Sequence, residues 1–531
     1  MNHFGSVMVS ILLLGALFPV SGIHATVPRN LTPLTVAFNP SSTSPYVSTF
    51  PISQNSSGFI PFVLSPASDK TVWVVMIKQG SIVNNVVQPY QAQIVNYTLG
   101  IGAKPAVTLV GVIPSDIVYD QNRQRVWFLE NDSLAYYNRT SPTGNVTIEQ
   151  TFPGGSPQFM TIDSTGKIWL TLLGTNQIAE YDPSTKQSPR LYNAPAPDSS
   201  LQGITQAKDG TIWFAETASK RIGNLIPCQS DSCTITDYGP PAGVEITFPI
   251  QLAVDPSGTV WFTDHGNRQF GSYNPSTHEW KVYGIGYCSA SFADCAVGLP
   301  NAISVDYYGK IWFSEHYAGR VARYDPSSGT LTEYSIPANT PPYVWWMSPG
   351  PGNLVWFTAF GIGRIGYVNA SIPVPVSVNV QTVTVRVEQG TSQLIRASLS
   401  NEADDPVYLN ISANGHDAPF GSAPLLYGFG DPTQINPSVN PVMATFRISA
   451  ALPTDIGDRY VTLTAYNGNV AVSAFVIVDV TPTTIPFVLR TSAPYFSVGF
   501  ALSIGLGSIG VVLIRIPKMF RKDRTTEEVR S

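Results

Sequence analysis

Charge, cysteine and phosphate-binding loops are all scarce in this chain, and each scarcity removes a class of function. No G-x-S-x-G nucleophile elbow or phosphate loop occurs, so serine-hydrolase and phosphate-loop chemistry lack their usual scaffolds. Only 12% of the 531 residues are charged. The last 17 residues hold six of the 30 basic and three of the 35 acidic side chains, which leaves 24 against 32 and a net charge near −8 before them. That excess argues against nucleic acid or anionic lipid as a partner. The four cysteines form two tight pairs, Cys228 with Cys233 and Cys288 with Cys295. Neither spacing is a zinc motif and no histidine cluster lies beside them, so two local disulfides are expected of a secreted chain.

Long hydrophobic runs are limited to the two ends. Residues 1–25 carry no formal charge and an apolar run from Val7 to Val20. They read as a signal peptide without the usual basic start, with an uncleaved anchor as the alternative. Tyr495 to Ile514 is an uncharged stretch of 20 residues, long enough for a helix to span a bilayer. Arg515, Lys518, Arg521, Lys522 and Arg524 follow it and place the tail 515–531 in the cytoplasm. The expected location is thus the cell membrane, single-pass, with the bulk of the chain outside. Gly499, Ser503 and Gly507 within the span would permit close helix contact. Eight Asn-X-Ser/Thr sequons, at Asn30, Asn55, Asn96, Asn131, Asn138, Asn145, Asn369 and Asn410, fit a glycosylated surface protein.

Tryptophan in a repeated setting is what the chain has in quantity. GTIWFAE (210–216) recurs as GKIWLTL (166–172), GTVWFTD (258–264), GKIWFSE (309–315) and GNLVWFTA (352–359), and more weakly as QRVWFLE (124–130) and KTVWVVM (70–76). The seven tryptophans, Trp73, Trp127, Trp169, Trp213, Trp261, Trp312 and Trp356, are separated by 54, 42, 44, 48, 51 and 44 residues. A period near 45 built from short strands predicts a β-propeller. Turns such as DSTG (163–166), DPSG (255–258) and DYYG (306–309) precede the Trp strand, and two further strands complete a four-stranded blade. The tryptophan is expected between neighbouring blades, because one blade cannot bury its own faces. The seventh blade is expected to close with an N-terminal strand at Leu34–Phe38. Residues 372–482 lose the repeat and alternate, as in SVNVQTVTVRV (377–387) and VAVSAFVIVDV (470–480), which predicts an immunoglobulin-like β-sandwich. The organisation is therefore a signal peptide (1–25), a seven-bladed β-propeller (32–371), the sandwich (372–482), a Thr/Pro stalk (483–494), the transmembrane helix (495–514) and a basic tail. The fold class is all-β apart from that helix.

GTIWFAETASKRIGNLIP (210–227) and GKIWFSEHYAGRVARYDPSSGTLTEYSIP (309–337) resemble the repeat of the streptogramin B lyases, the virginiamycin B lyase family. The resemblance is good over residues 100–371 and poor over 32–100. It implies a seven-bladed propeller that opens a cyclic ester by elimination with Mg²⁺. The implied chemistry rests on a His in a P-H-A-I approach strand, a Glu and a His in an E-P-H-G-I approach to the last blade, and a Glu after the last W-F. Elimination needs a base at the departing proton and a metal or acid at the developing oxyanion. Here LPNAIS (299–304) puts Asn301 at the first His. TPPYVWW (340–346) puts Pro341 at the Glu and Tyr343 at the second His. VWFTAF (355–360) puts Ala359 or Phe360 at the acid. Gln158, Gln202 and Ile250 stand in the earlier approach strands. None of these is a base, so no catalytic residue is carried over, and Mg²⁺ is implied only if lyase activity survives.

Residues just after the Trp strand are candidates for a ligand site at the channel mouth: Glu130, Glu216, Asp264, His265, Glu315 and His316, with Trp345 beside Trp346 and Tyr343 in the last blade. Two readings of the Asp264-His265 and Glu315-His316 pairs stand open. They form a metal or acid/base site, or they are rim residues that the repeat carries there; adjacent strand residues point to opposite faces. The expected function is non-catalytic binding of a glycan, peptide or envelope protein at the cell surface. The alternatives are a lyase with a substituted site and a structural envelope component.

Overall fold

The computed structural model describes residues 43–483, apart from 53–57, 84–85, 140–144, 229–232, 288–295, 382, 415–424, 430–433 and 451–455. The expected signal peptide, stalk, span and tail, with Asn30, Asn55 and the Cys288–Cys295 pair, lie outside the described residues. Among those described, no helix is long and apolar enough to cross a membrane. Their regular structure is almost wholly strand, with one helical turn at Phe360–Ile362.

Each tryptophan of the repeat lies on the second strand of its own four-stranded antiparallel unit; of these seven units six are separate sheets, and the sixth in chain order is part of a nine-stranded sheet. Their innermost strands are Ile60–Pro66, Ile117–Asp120, Pro157–Ile162, Leu201–Gln206, Pro249–Val254, Pro300–Val305 and Val344–Pro349. Each touches the next, and the last touches the first, so the seven sheets form a closed ring. The seventh sheet borrows its outermost strand from the start of the chain. That strand is Val47–Pro51, paired with Arg364–Asn369, and not the expected Leu34–Phe38. Tyr46 and Val47 decide this register: both are buried against Val368 and Tyr334, and the Tyr46 carbonyl accepts the Asn369 N–H at 2.8 Å.

The repeat's residues are explained by what they touch. Trp213 packs with Val260, Phe262 and Tyr273 of the following sheet, and Trp312 packs with Val355, Phe357 and Val368. These contacts bury the faces that a lone sheet would expose. The turn aspartate does two jobs. One Asp163 oxygen accepts the Thr165 and Lys167 N–H groups at 2.8 and 2.9 Å, and the other accepts the Trp169 indole N–H at 2.8 Å. Asp255 and Asp306 hold Trp261 and Trp312 in the same way, each at 2.8 Å. The glycine in the third strand is steric: a Cβ at Gly223 would collide with the Phe214 ring paired opposite it.

Beyond the ring, two sheets pack face to face around Val378, Ile395, Leu399, Phe446, Ile448, Leu463 and Val478. One comprises Val376–Val380, Ser392–Asn401, Leu425–Phe429 and Ser438–Ala450. The other contains Val407–Asn414, Gly457–Tyr466 and Val470–Thr481, with Thr384–Glu388 alongside in parallel. This second sheet does not end at its own edge. Val470–Thr481 pairs with Thr330–Ser335, the outer strand of the sixth ring sheet, from Thr330↔Ala474 to Tyr334↔Val470. Phe475 then packs among Phe270, Tyr283 and Tyr324 of the ring.

Cys228 and Cys233 form a disulfide with Cα atoms 5.4 Å apart. Asn131 and Asn145 are exposed, as a glycan acceptor requires, whereas Asn138 and Asn369 are half-buried. Asn96 is also half-buried, within the strand Gln91–Thr98, with its Nδ2 out of contact with solvent. Asn410 lies in the strand Val407–Asn414, and its side chain is outside the description.

Candidate functional site at the centre of the ring

Six of the seven inner strands break register near their start, between Pro61 and Leu64, Pro157 and Met160, Leu201 and Ile204, Pro249 and Leu252, Pro300 and Ile303, and Val344 and Trp346. A bulge leaves backbone groups unpaired. In four sheets the hydroxyl two residues after the tryptophan accepts one of them. Thr171, Thr263, Ser314 and Thr358 take the N–H of Phe159, Gln251, Ala302 and Trp346 at 3.3, 3.3, 3.1 and 3.1 Å. Three of these hydroxyls donate onward to the next sheet's bulge: Thr263 to the Asn301 carbonyl at 2.7 Å, Ser314 to Trp345 at 3.4 Å and Thr358 to Phe62 at 2.9 Å. The sequence W-F-T/S thus stitches neighbouring sheets around the channel.

In four of the seven Trp strands the next residue is a candidate acid, Glu130, Glu216, Asp264 or Glu315, and three of these are fully buried. Asp264 is fully buried and accepts the Thr247 and Phe248 N–H groups at 3.0 and 2.6 Å and the Gln269 Nε2 at 2.9 Å. Burial still holds its carboxyl above the ordinary range. Glu216 is fully buried as well, and burial, then the charge of Asp237, pushes it up to about 7. Glu315 is sealed beside Arg320 Nη1, 3.8 Å away. Glu130 is half-buried, and burial raises it too.

The histidines turn the other way. His265 and His316 stack with ring centres 6.0 Å apart, and His265 Nδ1 meets the Pro300 carbonyl at 3.1 Å. Trp345, Phe360 and Tyr343 surround His316 at 4.9, 5.6 and 6.1 Å. Burial pushes His265 down to about 4, and burial with the neighbouring His265 pushes His316 down to about 3. Both imidazoles are therefore neutral and weakly basic. The two acid–His pairs do not converge, because the strand sends their members to opposite sides. Among the described residues no group of three or more His, Cys, Asp or Glu side chains could hold a metal.

Sequence reasoning missed what fills the axis. Trp346 of the seventh sheet stacks on Phe159 of the third, with centres 5.9 Å apart and planes 5° from parallel. These sheets are not neighbours in the ring, so the pair meets across the channel. Asp116 lies at the same level, buried, and its oxygens accept the Ile117 and Met160 N–H groups at 2.8 and 2.9 Å. Burial pushes its carboxyl up to about 7. The adjacent Trp345 and Trp346 were the available signal, since the other approach strands carry no such pair.

A family model described as the virginiamycin B lyase family matches residues 106–375, just over half of the chain. The chain belongs to the virginiamycin B lyase family. Many solved structures are similar to it, lyases among them. Virginiamycin B lyase from Staphylococcus aureus is 19% identical with a TM-score of 0.47, over 61% of this chain and 98% of that one. A streptogramin B lyase is 21% identical with a TM-score of 0.39, over 62% and 88%. No curated protein sequence matches this chain.

Strand register revises where the lyase family's chemical positions fall. Asn301 follows Pro300, which pairs with Glu315; in the seventh sheet Val344 pairs with Ala359, so Trp345 is the equivalent of Asn301. The second His of the family therefore maps to Trp345 rather than Tyr343, and the Glu two residues before it maps to Tyr343 rather than Pro341. Ala359 shares the register of Glu315 and so holds the acid position, while Phe360 corresponds to His316. Asn301 is 2% exposed and its Nδ2 donates to the Trp345 carbonyl at 2.7 Å. Trp345 is buried and stacks on Phe62 at 5.6 Å. An amide, two aromatic rings and a methyl group supply neither a base nor an anionic metal ligand, so these residues do not fit the Mg²⁺ that the family resemblance implies.

Proposed function

We propose that this member of the virginiamycin B lyase family is a non-catalytic binding protein of the cell surface. In this reading the seven sheets are the blades of a seven-bladed β-propeller and the two C-terminal sheets are an immunoglobulin-like sandwich. The stalk and the span at 495–514 anchor both outside the membrane. The observation that carries the proposal is Asn301: the position that should hold a proton acceptor is a buried amide committed to a backbone carbonyl. The half-buried rim of His265, Tyr343 and Phe360 offers aromatic edges and faces to a glycan or peptide and no charge to bind nucleic acid.

The test uses the full chain in detergent. Incubation with a streptogramin B and Mg²⁺ is expected to leave the ring closed; chelator-sensitive opening would overturn the proposal. A glycan and peptide array is expected to retain a ligand that Tyr343→Ala loses. An array with no ligand would favour a structural envelope role instead.

A further inference from the structure

The stack of Trp346 on Phe159 divides the axis into two arcs. Phe159, Gln251, Ala302 and Trp346 are equivalent positions in the third, fifth, sixth and seventh sheets, because the N–H of each donates to the hydroxyl of its own Trp strand. Gly203 holds that position in the fourth sheet, just before the pair Ile204↔Phe214. One arc between the stacked rings therefore presents Gly203, Gln251 and Ala302, two small residues on either side of one amide. The glycine is required there. A Cβ on it would stand 2.6 Å from the Ile250 carbonyl oxygen and 2.8 Å from Gln251 Oε1. Its absence lets the fifth inner strand close on the fourth and lays the Gln251 side chain against it.

The polar atoms of this arc are unanswered. Gln251 and Gln202 are only 7% and 8% exposed, yet neither side-chain amide makes a hydrogen bond within the described residues, and neither does the Trp346 indole N–H. The amides equivalent to Gln202 are both engaged: Gln158 Nε2 donates to the Ser156 carbonyl at 3.1 Å, and Asn301 Nδ2 to the Trp345 carbonyl at 2.7 Å. An amide that is nine-tenths buried without a partner is costly, and a ligand that supplies the partner recovers that cost.

We propose that Gln202, Gln251 and Trp346 form a subsite for one pyranose ring of a neutral glycan, entered through the mouth of the ring. The proposal rests on the binding reading above and deepens it. A sugar hydroxyl both donates and accepts, and so does a glutamine amide. Two amides and an indole N–H therefore match neighbouring hydroxyls on one sugar. Trp346 and Phe159 are half-buried, so part of each ring stays open to the sugar's carbon-bound hydrogens. The three binding groups carry no charge and select an uncharged ligand. A peptide strand would need free backbone groups along the inner strands. The N–H groups of Phe159, Gln251, Ala302 and Trp346 are already taken by hydroxyls.

The experiment is saturation-transfer NMR on the full chain in a sugar-free detergent. The probes are free glucose, galactose, mannose and N-acetylglucosamine at tens of millimolar. At least one is expected to receive saturation from the wild type. Gln251→Leu removes the amide and keeps its bulk, and is expected to weaken that sugar about tenfold, the worth of one or two hydrogen bonds. If Gln251→Leu does not fold, Gln202→Leu carries the same expectation. A sugar held equally by the wild type and the folded leucine variants overturns the subsite; loss of that sugar in Tyr343→Ala would then place it on the rim and keep the binding reading. No sugar bound by the wild type also overturns the subsite, and leaves the binding reading to the peptides of the array.

Discussion

At the scale of single residues, the aspartate six positions before the tryptophan is as much a part of the repeat as the ring itself. Asp163→Ala leaves the Trp169 indole N–H and two turn amides without partners, and is expected to cost about 1–3 kcal/mol in urea unfolding. No change in the midpoint would refute the role. Trp73 and Trp356 have no partner on Nε1, so Trp356→Phe should spare the hydrogen-bond share of what Trp169→Phe loses. Titration divides the axis from the rim. Asp116 is held near 7, above its ordinary 3.8, so its contribution to stability is present at acid pH and lost as pH rises between those values. Asp116→Asn is expected to remove that fall in a series of melting temperatures. His265 and His316 are displaced downward from 6.5 and act in the opposite sense. Their neutral burial favours folding above 6.5 and is lost as pH drops below it.

At the scale of the element, the Trp strand is a connector as well as a core strand. Its hydroxyl answers a bulge in its own sheet and a carbonyl in the next. Thr263→Val keeps the shape and removes both bonds, leaving the Gln251 N–H and the Asn301 carbonyl unpaired. The expected cost is about 1–3 kcal/mol, read by urea unfolding; a neutral result would mean that the bulge is solvated. The strand's existence and its tryptophan were legible in sequence, because spacing and turn residues repeat. The direction of the residues after it was not. Asp264 and His265 are neighbours in the sequence, yet one is tied to the Thr247–Phe248 backbone and the other stacks on the next sheet. Only the register of the inner strand, with its bulge, decides which neighbour each side chain meets. The same register moved the lyase family's second His from Tyr343 to Trp345.

At the scale of the whole molecule, closure of the ring depends on a five-residue strand far from its partner in the chain. At about 1 kcal/mol per backbone bond, and about 2–4 °C per kcal/mol for a large domain, removing residues 43–51 is expected to lower Tm by roughly 10 °C. Circular dichroism reads this, and an unchanged Tm would show that the seventh sheet closes without Val47–Pro51. The ring and the C-terminal sheets also share one continuous sheet through Thr330–Ser335 and Val470–Thr481. Nothing in the period of the repeat announced that seam. It follows from an outer edge in the sixth sheet that a partner strand covers, whereas among the described residues the outer strands of the other ring sheets pair only within their own sheet.

The sequence by itself determined the repeat and the strand class, because each depends on residue identity at a fixed local spacing. The tertiary structure alone decided which side chains meet. It stacked Trp346 on Phe159 across the axis, separated the two acid–His pairs, and paired the outer strand of the sixth sheet with a distant strand. Such contacts join residues tens to hundreds of positions apart, and no local pattern encodes them.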